Sequence, residues 1–465
     1  GGTILAGSTN TGTLAVVSTL GAITQTGALN VGSTSSFTTS ANDAAITLSS
    51  TTNALTGNVT VSSQGTSGNV TIDNGTTALG VQGTANGNLV LISGEVITDS
   101  AALTVSGTTT VTTDVADKAI TLGTLASTGD VSLNSSGTTG NAVVNNTTTA
   151  LGLAASSIGG TLTAETDNSI TVKGTVTSKG VTSLSASDDV IFAAAGALAS
   201  TNGNITVTAD DDNTPTGTGG AMTMANGATI NSGTGTITLS ADEDIALGGL
   251  TTTNATGAAV SITSDNGSIT DGGDTSVDIT ASTTGAVVTL AAKNAIGTVS
   301  GDSVYLDPAD TGYAGNPLET AMLTASITTS AVNSDIAIDN TSSGGLTISA
   351  LQPGGAGNAA SAWIRNSAAL DVSGITINST NNSADELAFI ATTGNLTVQD
   401  IGTTPLNVGT VGVLKLEALA GDVTETGAND NLNVTAQDFI LKSNTSETVT
   451  LAVTNFDGQI TGTGN

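Results

Sequence analysis

Aspartate offers most of the chemistry in this chain, and it comes in clusters: Asp188-Asp189, Asp210-Asp211-Asp212, Asp242-Glu243-Asp244, and Asp271 with Asp274. Two carboxylates held on either side of a glycosidic bond can hydrolyse it. The same oxygens are hard ligands that suit Ca2+. Two stretches set them beside Gly and Asn, "ADDDN" at 209–213 and "SDNGSITDGGD" at 264–274. Asp210, Asp211, Asp212, Asp265, Asp271 and Asp274 are therefore the candidate Ca2+ ligands, and Ca2+ is the one cofactor the residues suggest. Neither stretch is an EF-hand loop closed by a bidentate Glu, and neither runs as the glycine-rich nonapeptides of a Ca2+-binding β-roll.

Catalysis finds less support. The chain has no His, the side chain that titrates nearest neutral pH. The cations a polysaccharide lyase would use, Arg365, Lys173, Lys179 and Lys293, are scattered along the sequence. The expectation is a non-enzymatic protein whose acidic clusters sit in polar turns, with a polysaccharide-degrading enzyme as the outlying alternative.

Composition narrows the partners. Seven Lys and Arg stand against 38 Asp and Glu, a net charge of −31. Nucleic acid is bound mainly by cations that neutralise phosphate, so it is excluded as a partner. Without cysteine there are no disulfides or thiolate sites. No apolar run approaches the ~20 residues of a membrane helix, so insertion of this segment is not expected. The opening "GGTILAG" and the closing "TGTGN" read as cuts within a repeat, which suggests a section of a longer chain.

The elements that must position these carboxylates are short strands. Triplets such as "VTV" at 59, "VTI" at 70, "ITL" at 120 and "ITV" at 170 place an aliphatic on either side of a polar residue. That period of two buries one face of a strand. Turn residues separate triplets that lie about ten residues apart. An antiparallel sandwich would need a thick core with aromatic filling, yet aromatics make up only 2% of the chain. A parallel β-solenoid, with its narrow aliphatic core, fits better. Roughly 23 residues per coil gives about 20 coils. In the phrase "GNVTV", Gly and Asn turn the corner, Val59 and Val61 point inward and Thr60 faces water. Threonines flank inward valines again at Thr110 and Thr112, Thr175 and Thr177, and Thr206 and Thr208.

Solenoid phrasing fills residues 1–300 and resumes over 368–465. Between them, 301–367 reads as an embellished segment with loops. The best helix signal of the chain lies there, "NPLETAML" at 316–323, with Pro317 in a first-turn position and Glu319 after it. The late Phe389, Phe439 and Phe456 suggest wider coils near the end.

The recurring phrase Gly-Asn/Asp-aliphatic-Thr/Ser-aliphatic stands at Gly57–Val61, Gly68–Ile72, Gly129–Leu133, Gly203–Val207 and Gly394–Val398, with a variant at Gly87–Leu91. It resembles filamentous-haemagglutinin-type exoproteins and autotransporter passenger domains, bacterial surface proteins built as right-handed parallel β-helices. The resemblance implies an extracellular rod, structural or adhesive, in a cell-surface fibre or coat. A protomer that polymerises end to end into a filament or surface layer is the second expectation. Implied partners are neighbouring copies, other surface proteins, and host or cell-surface glycans.

Overall fold

The structure is a computed structural model. It describes residues 1–210, 219–273, 276–298, 315–354, 360–375, 386–399, 406–407, 413–426, 431–436, 438–443 and 448–453. The fold is an all-β, right-handed parallel β-solenoid of about 16 turns, with no helix among the described residues. Two compact units divide it: Gly1–Ala221 with Gly227–Gly235, and Met222–Asn226 with Thr236–Asn465.

Within unit 1 the aliphatic triplets stack in columns. Ile46, Val70 and Leu89 occupy one column, in parallel register, and all are fully buried. Burying each such side chain contributes about 1.5–3 kcal/mol. Successive turns stand ~4.8 Å apart. The right hand follows from the twist of L-amino-acid strands, which favours right-handed crossovers between parallel neighbours. Val59, Val61, Val70 and Ile72 all lie in the core, and Thr60 and Thr71 are half-buried on the outer surface. Phe37, Phe192 and Phe389 are fully buried in the core, and Phe456 lies outside the described residues.

The Gly-Asn phrase works between turns. The side-chain oxygen of Asn69 accepts the amide of Asn88 at 2.8 Å, and that of Asn88 accepts the amide of Thr108 at 3.0 Å. Asn141 does the same for Thr161 at 2.9 Å, and in unit 2 Asn395 serves Asp422 at 3.0 Å. The oxygen that staples the next turn fills the space a Cβ would need there. At Gly87 a Cβ would run into the Asn69 oxygen, and at Gly107 into the Asn88 oxygen. Asparagine at these places in one turn therefore demands glycine in the next.

A second asparagine device lies inside the coil. Asn74 is fully buried; its side-chain oxygen accepts the Leu55 amide at 2.8 Å and its NH2 donates to Leu55 O at 3.1 Å. The side chain thus replaces a strand residue in the ladder. Asn146 repeats this on Ser127 (2.8 and 2.9 Å), and in unit 2 Asn340 repeats it on Met322 (2.8 and 3.1 Å).

Turn length is less even than the spacing predicts, which is why 20 coils become about 16. In unit 1, 20 residues separate the paired Leu162 and Thr182. In unit 2 the interval grows from 23 (Ile237 to Val260) to 28 (Val260 to Val288) and 37 (Val288 to Ala325).

The helix expected at 316–323 is a strand, Leu318–Met322, with Leu318, Thr320 and Met322 inward. It pairs with Ile279–Ala281 on one side and Ile336–Asn340 on the other. Pro317 precedes it, where a strand needs no amide, and the register with two neighbours overrides local helix preference. Of the expected embellishment, residues 301–314 and 355–359 lie outside the described residues. The described remainder of 301–367 carries solenoid strands joined by turns, among them Leu346–Gln352 and Ala362–Asn366.

Strands late in unit 2 are buried on both faces. Trp363, outward on Ala362–Asn366, packs with Ala388, Ile390 and Leu419. Arg365 lies over the Trp363 ring at 5.6 Å and makes a two-pronged ion pair with Asp339. Two turns further on, Lys415 and Glu417 sit 3.4 Å apart, both buried.

Candidate metal centre

Three carboxylates of unit 2 converge, and only one of them was a sequence candidate. Asp271 ends the strand Ile269–Asp271, stacked on Ile245–Leu247. Asp278 immediately precedes the strand Ile279–Ala281. Glu319 lies on Leu318–Met322, the next strand of that column. One oxygen from each lies within 4.8 Å of the others, with Asp271 and Asp278 buried and Glu319 half-buried.

Backbone bonds hold the trio in place. The Asp278 amide donates to Glu319 O at 2.7 Å, and the Glu319 amide donates to Asp278 Oδ2 at 3.0 Å. Asp271 Oδ1 accepts the Gly273 amide at 2.9 Å and its Oδ2 accepts Asn316 Nδ2 at 2.7 Å. Asn316 is itself fixed by an antiparallel bridge to Thr298. Like charges this close repel, and a divalent cation between them converts repulsion to attraction. Three hard oxygens on separate segments supply part of the six to eight that Ca2+ takes.

Among the described residues the trio includes none of the other candidates. Asp265 is exposed, its amide donating to Ala241 O at 3.0 Å. Asp210, in unit 1, turns the chain at φ 61°, its amide bonded to Asp188 O at 3.2 Å. Asp211, Asp212 and Asp274 lie outside the described residues. Asp278 gave one legible signal, since it occupies the Asn/Asp place before a strand triplet. Glu319 gave none, because Asp278 and Glu319 are neighbours only through a 41-residue turn.

Several of the remaining acidic side chains serve as staples like the asparagines. Asp189 Oδ1 accepts the amides of Gly220 and Ala221, each at 3.0 Å, and Asp244 Oδ1 accepts that of Ser268 at 2.7 Å. Asp117 receives the amides of Thr139 and Thr138 and the Thr139 hydroxyl, and these hold its carboxyl below the usual range. Asp335 accepts the Ser361 amide at 2.8 Å, but burial outweighs that bond and pushes its carboxyl up. The cations are engaged too. Lys173 pairs with Asp130 at 2.5 Å, Lys179 donates to Gly137 O at 2.9 Å, and Lys293 donates to Asn266 Oδ1 at 2.7 Å.

Residues 1–62, 67–134 and 139–199 each match the model of a family described as repeats of unknown function (DUF5649). No curated protein and no solved structure matches the chain. The class that fold and comparison define together is a repeat β-solenoid.

Proposed function

We propose that this chain is a structural or adhesive element of a bacterial cell-surface fibre or coat, working outside the cell through its extended surface and without catalysis. The observation that carries the reading is the stapling of turn to turn. Several acidic and amide side chains that could have served a reaction centre are spent on neighbouring backbone amides, as at Asn69, Asn88, Asp189 and Asp244. Such a ladder makes a stiff support whose outer hydroxyls and carboxylates are left to meet neighbouring copies, other surface proteins or glycans. The absence of cysteine and the net charge of −31 suit a soluble exterior. Electron microscopy of the native material, decorated with an antibody to this chain, tests the reading. Labelled fibres or a labelled coat support it, and label confined to dispersed particles in the cell interior overturns it. Regular end-to-end repeats of the label along a fibre would specify the polymerising form.

The carboxylate trio supports a second, narrower reading, that Ca2+ strengthens unit 2 at Asp271, Asp278 and Glu319. Millimolar Ca2+ then raises the melting temperature and EGTA reverses it. Glu319→Gln removes the response, whereas Asp265→Asn keeps it. A melting temperature indifferent to both reagents removes the ion from the account.

A further inference from the structure

We infer that each successive sequence repeat of unit 1 is turned by one side of the three-sided solenoid, so equivalent surface residues face three directions in succession. The three matched stretches carry near-identical phrases. Ala45-Ile46-Thr47-Leu48 recurs as Ala119-Ile120-Thr121-Leu122, and Thr76-Thr77-Ala78-Leu79 as Thr148-Thr149-Ala150-Leu151. Leu125-Ala126-Ser127-Thr128 recurs as Leu198-Ala199-Ser200-Thr201. Were a repeat a whole number of turns, each pair would share a column.

None does. Ile46 stacks through Val70, Leu89 and Thr109 to Val131. Its equivalent Ile120 belongs to a different column, which runs Leu79, Ile97, Ile120, Ala142. Leu125 stacks on Leu103, whereas Leu198 stacks on Val176, in a column that grows from Asn134. In chain order, Leu89, Ile97 and Leu103 mark the three sides of one repeat. Their equivalents are Leu162, Ile170 and Val176, and Leu162 stands on the Ile97 side, above Ala142. The set begins one side later.

The buried asparagines make the step. Asn74 closes the column that ends at Leu55, and Asn146 closes the one that ends at Leu125–Ser127. At each closure a neighbouring column divides. Leu79–Ala85 stands on Val59–Gln64 and carries both Ile97 and Leu103 above it, with a bulge between Val81 and Gly83. Val131–Asn134 likewise carries both Leu151–Leu153 and Ser156–Ile158. One side is lost and one gained, so the coil stays three-sided while the repeat moves round. Both closures open with the same words, Asn-x-Thr-Thr-Ala-Leu, at Asn74–Leu79 and Asn146–Leu151.

For recognition the consequence is specific. A partner lying along one side meets a given repeat feature once in three repeats, while separate partners around the solenoid each meet one.

Pairs of nitroxide labels on introduced cysteines test the step, since the chain has no cysteine of its own. Thr47 and Thr110 share a column three turns apart through Thr71 and Val90, so their labels should lie ~14 Å apart. Thr47 and Thr121 are sequence equivalents on different sides, and a sideways offset of about 10 Å, added at right angles to the axial rise, should put their labels about 17–19 Å apart. A second comparison guards against local disturbance: Thr71 with Ser132 in one column, against Thr71 with its equivalent Val143. Longer distances for both equivalent pairs, in variants with an unchanged strand spectrum, support the step. Equal distances within each comparison overturn it.

Discussion

Replacing Asn74 with Ala would leave the Leu55 amide and the carbonyls of Leu55, Thr77 and Ala78 without the side chain they bond. Orphaned buried backbone groups cost about 1–3 kcal/mol each, with partial relaxation. The expected loss is about 2–4 kcal/mol of unfolding free energy in urea, and a loss under half a kcal/mol would deny the closing role. Glu417→Gln tests the buried ion pair in the same way. It strands the Lys415 charge, and breaking a buried pair on one side costs about 3–5 kcal/mol. Two carboxylates set opposite pH trends. The folded Asp117 carboxyl titrates below its unfolded value, so its contribution is present above the unfolded value and lost as pH falls through the folded one. Asp335 titrates above its unfolded value, so it weakens the fold as pH rises from the unfolded value through the folded one. Asp117→Asn should therefore lower the melting temperature at neutral pH and converge with the parent in acid. Asp335→Asn, which keeps an oxygen for the Ser361 amide, should raise it at neutral pH. Parallel pH profiles for parent and variant would contradict either assignment.

At the scale of the strand and turn, glycine and the staple beneath it form one unit. Gly152 tests the crowding itself, because the nearest atoms a Cβ there would meet belong to the side chains of Asp130, one turn away, and Lys173. Gly152→Ala should destabilise the parent, and should cost less in an Asp130→Ala background. A double-mutant cycle reads this coupling directly, and additive effects would argue against it. Strands were largely legible in the sequence, since period-two triplets such as Val59–Val61 and Ile170–Val172 are what a one-face-buried strand requires. The element at 318–322 was not, because Pro317 and Glu319 carry local helix signals while its strand state comes from partners Ile279–Ala281 and Ile336–Asn340. The candidate metal centre was legible by a third. Asp271 stands in a recognisable acidic phrase, but which residues lie one turn above it depends on turn lengths that vary from 17 to 41 residues. The asparagine closures were visible only as repeated words. Their meaning needed the register that sets Asn74 over Leu55 and Asn146 over Ser127.

For the whole molecule, the account makes function a property of surface and not of a pocket. The resemblance to bacterial surface proteins rests on a phrase that the structure explains as an inter-turn staple, so the phrase speaks for the solenoid and leaves the cellular site to experiment. Immunogold labelling of intact cells that make this chain, before and after permeabilisation, addresses that site most directly. The account predicts dense label on the exterior of intact cells, removed by brief external protease and little increased by permeabilisation. Label that appears only after permeabilisation would contradict a cell-surface role.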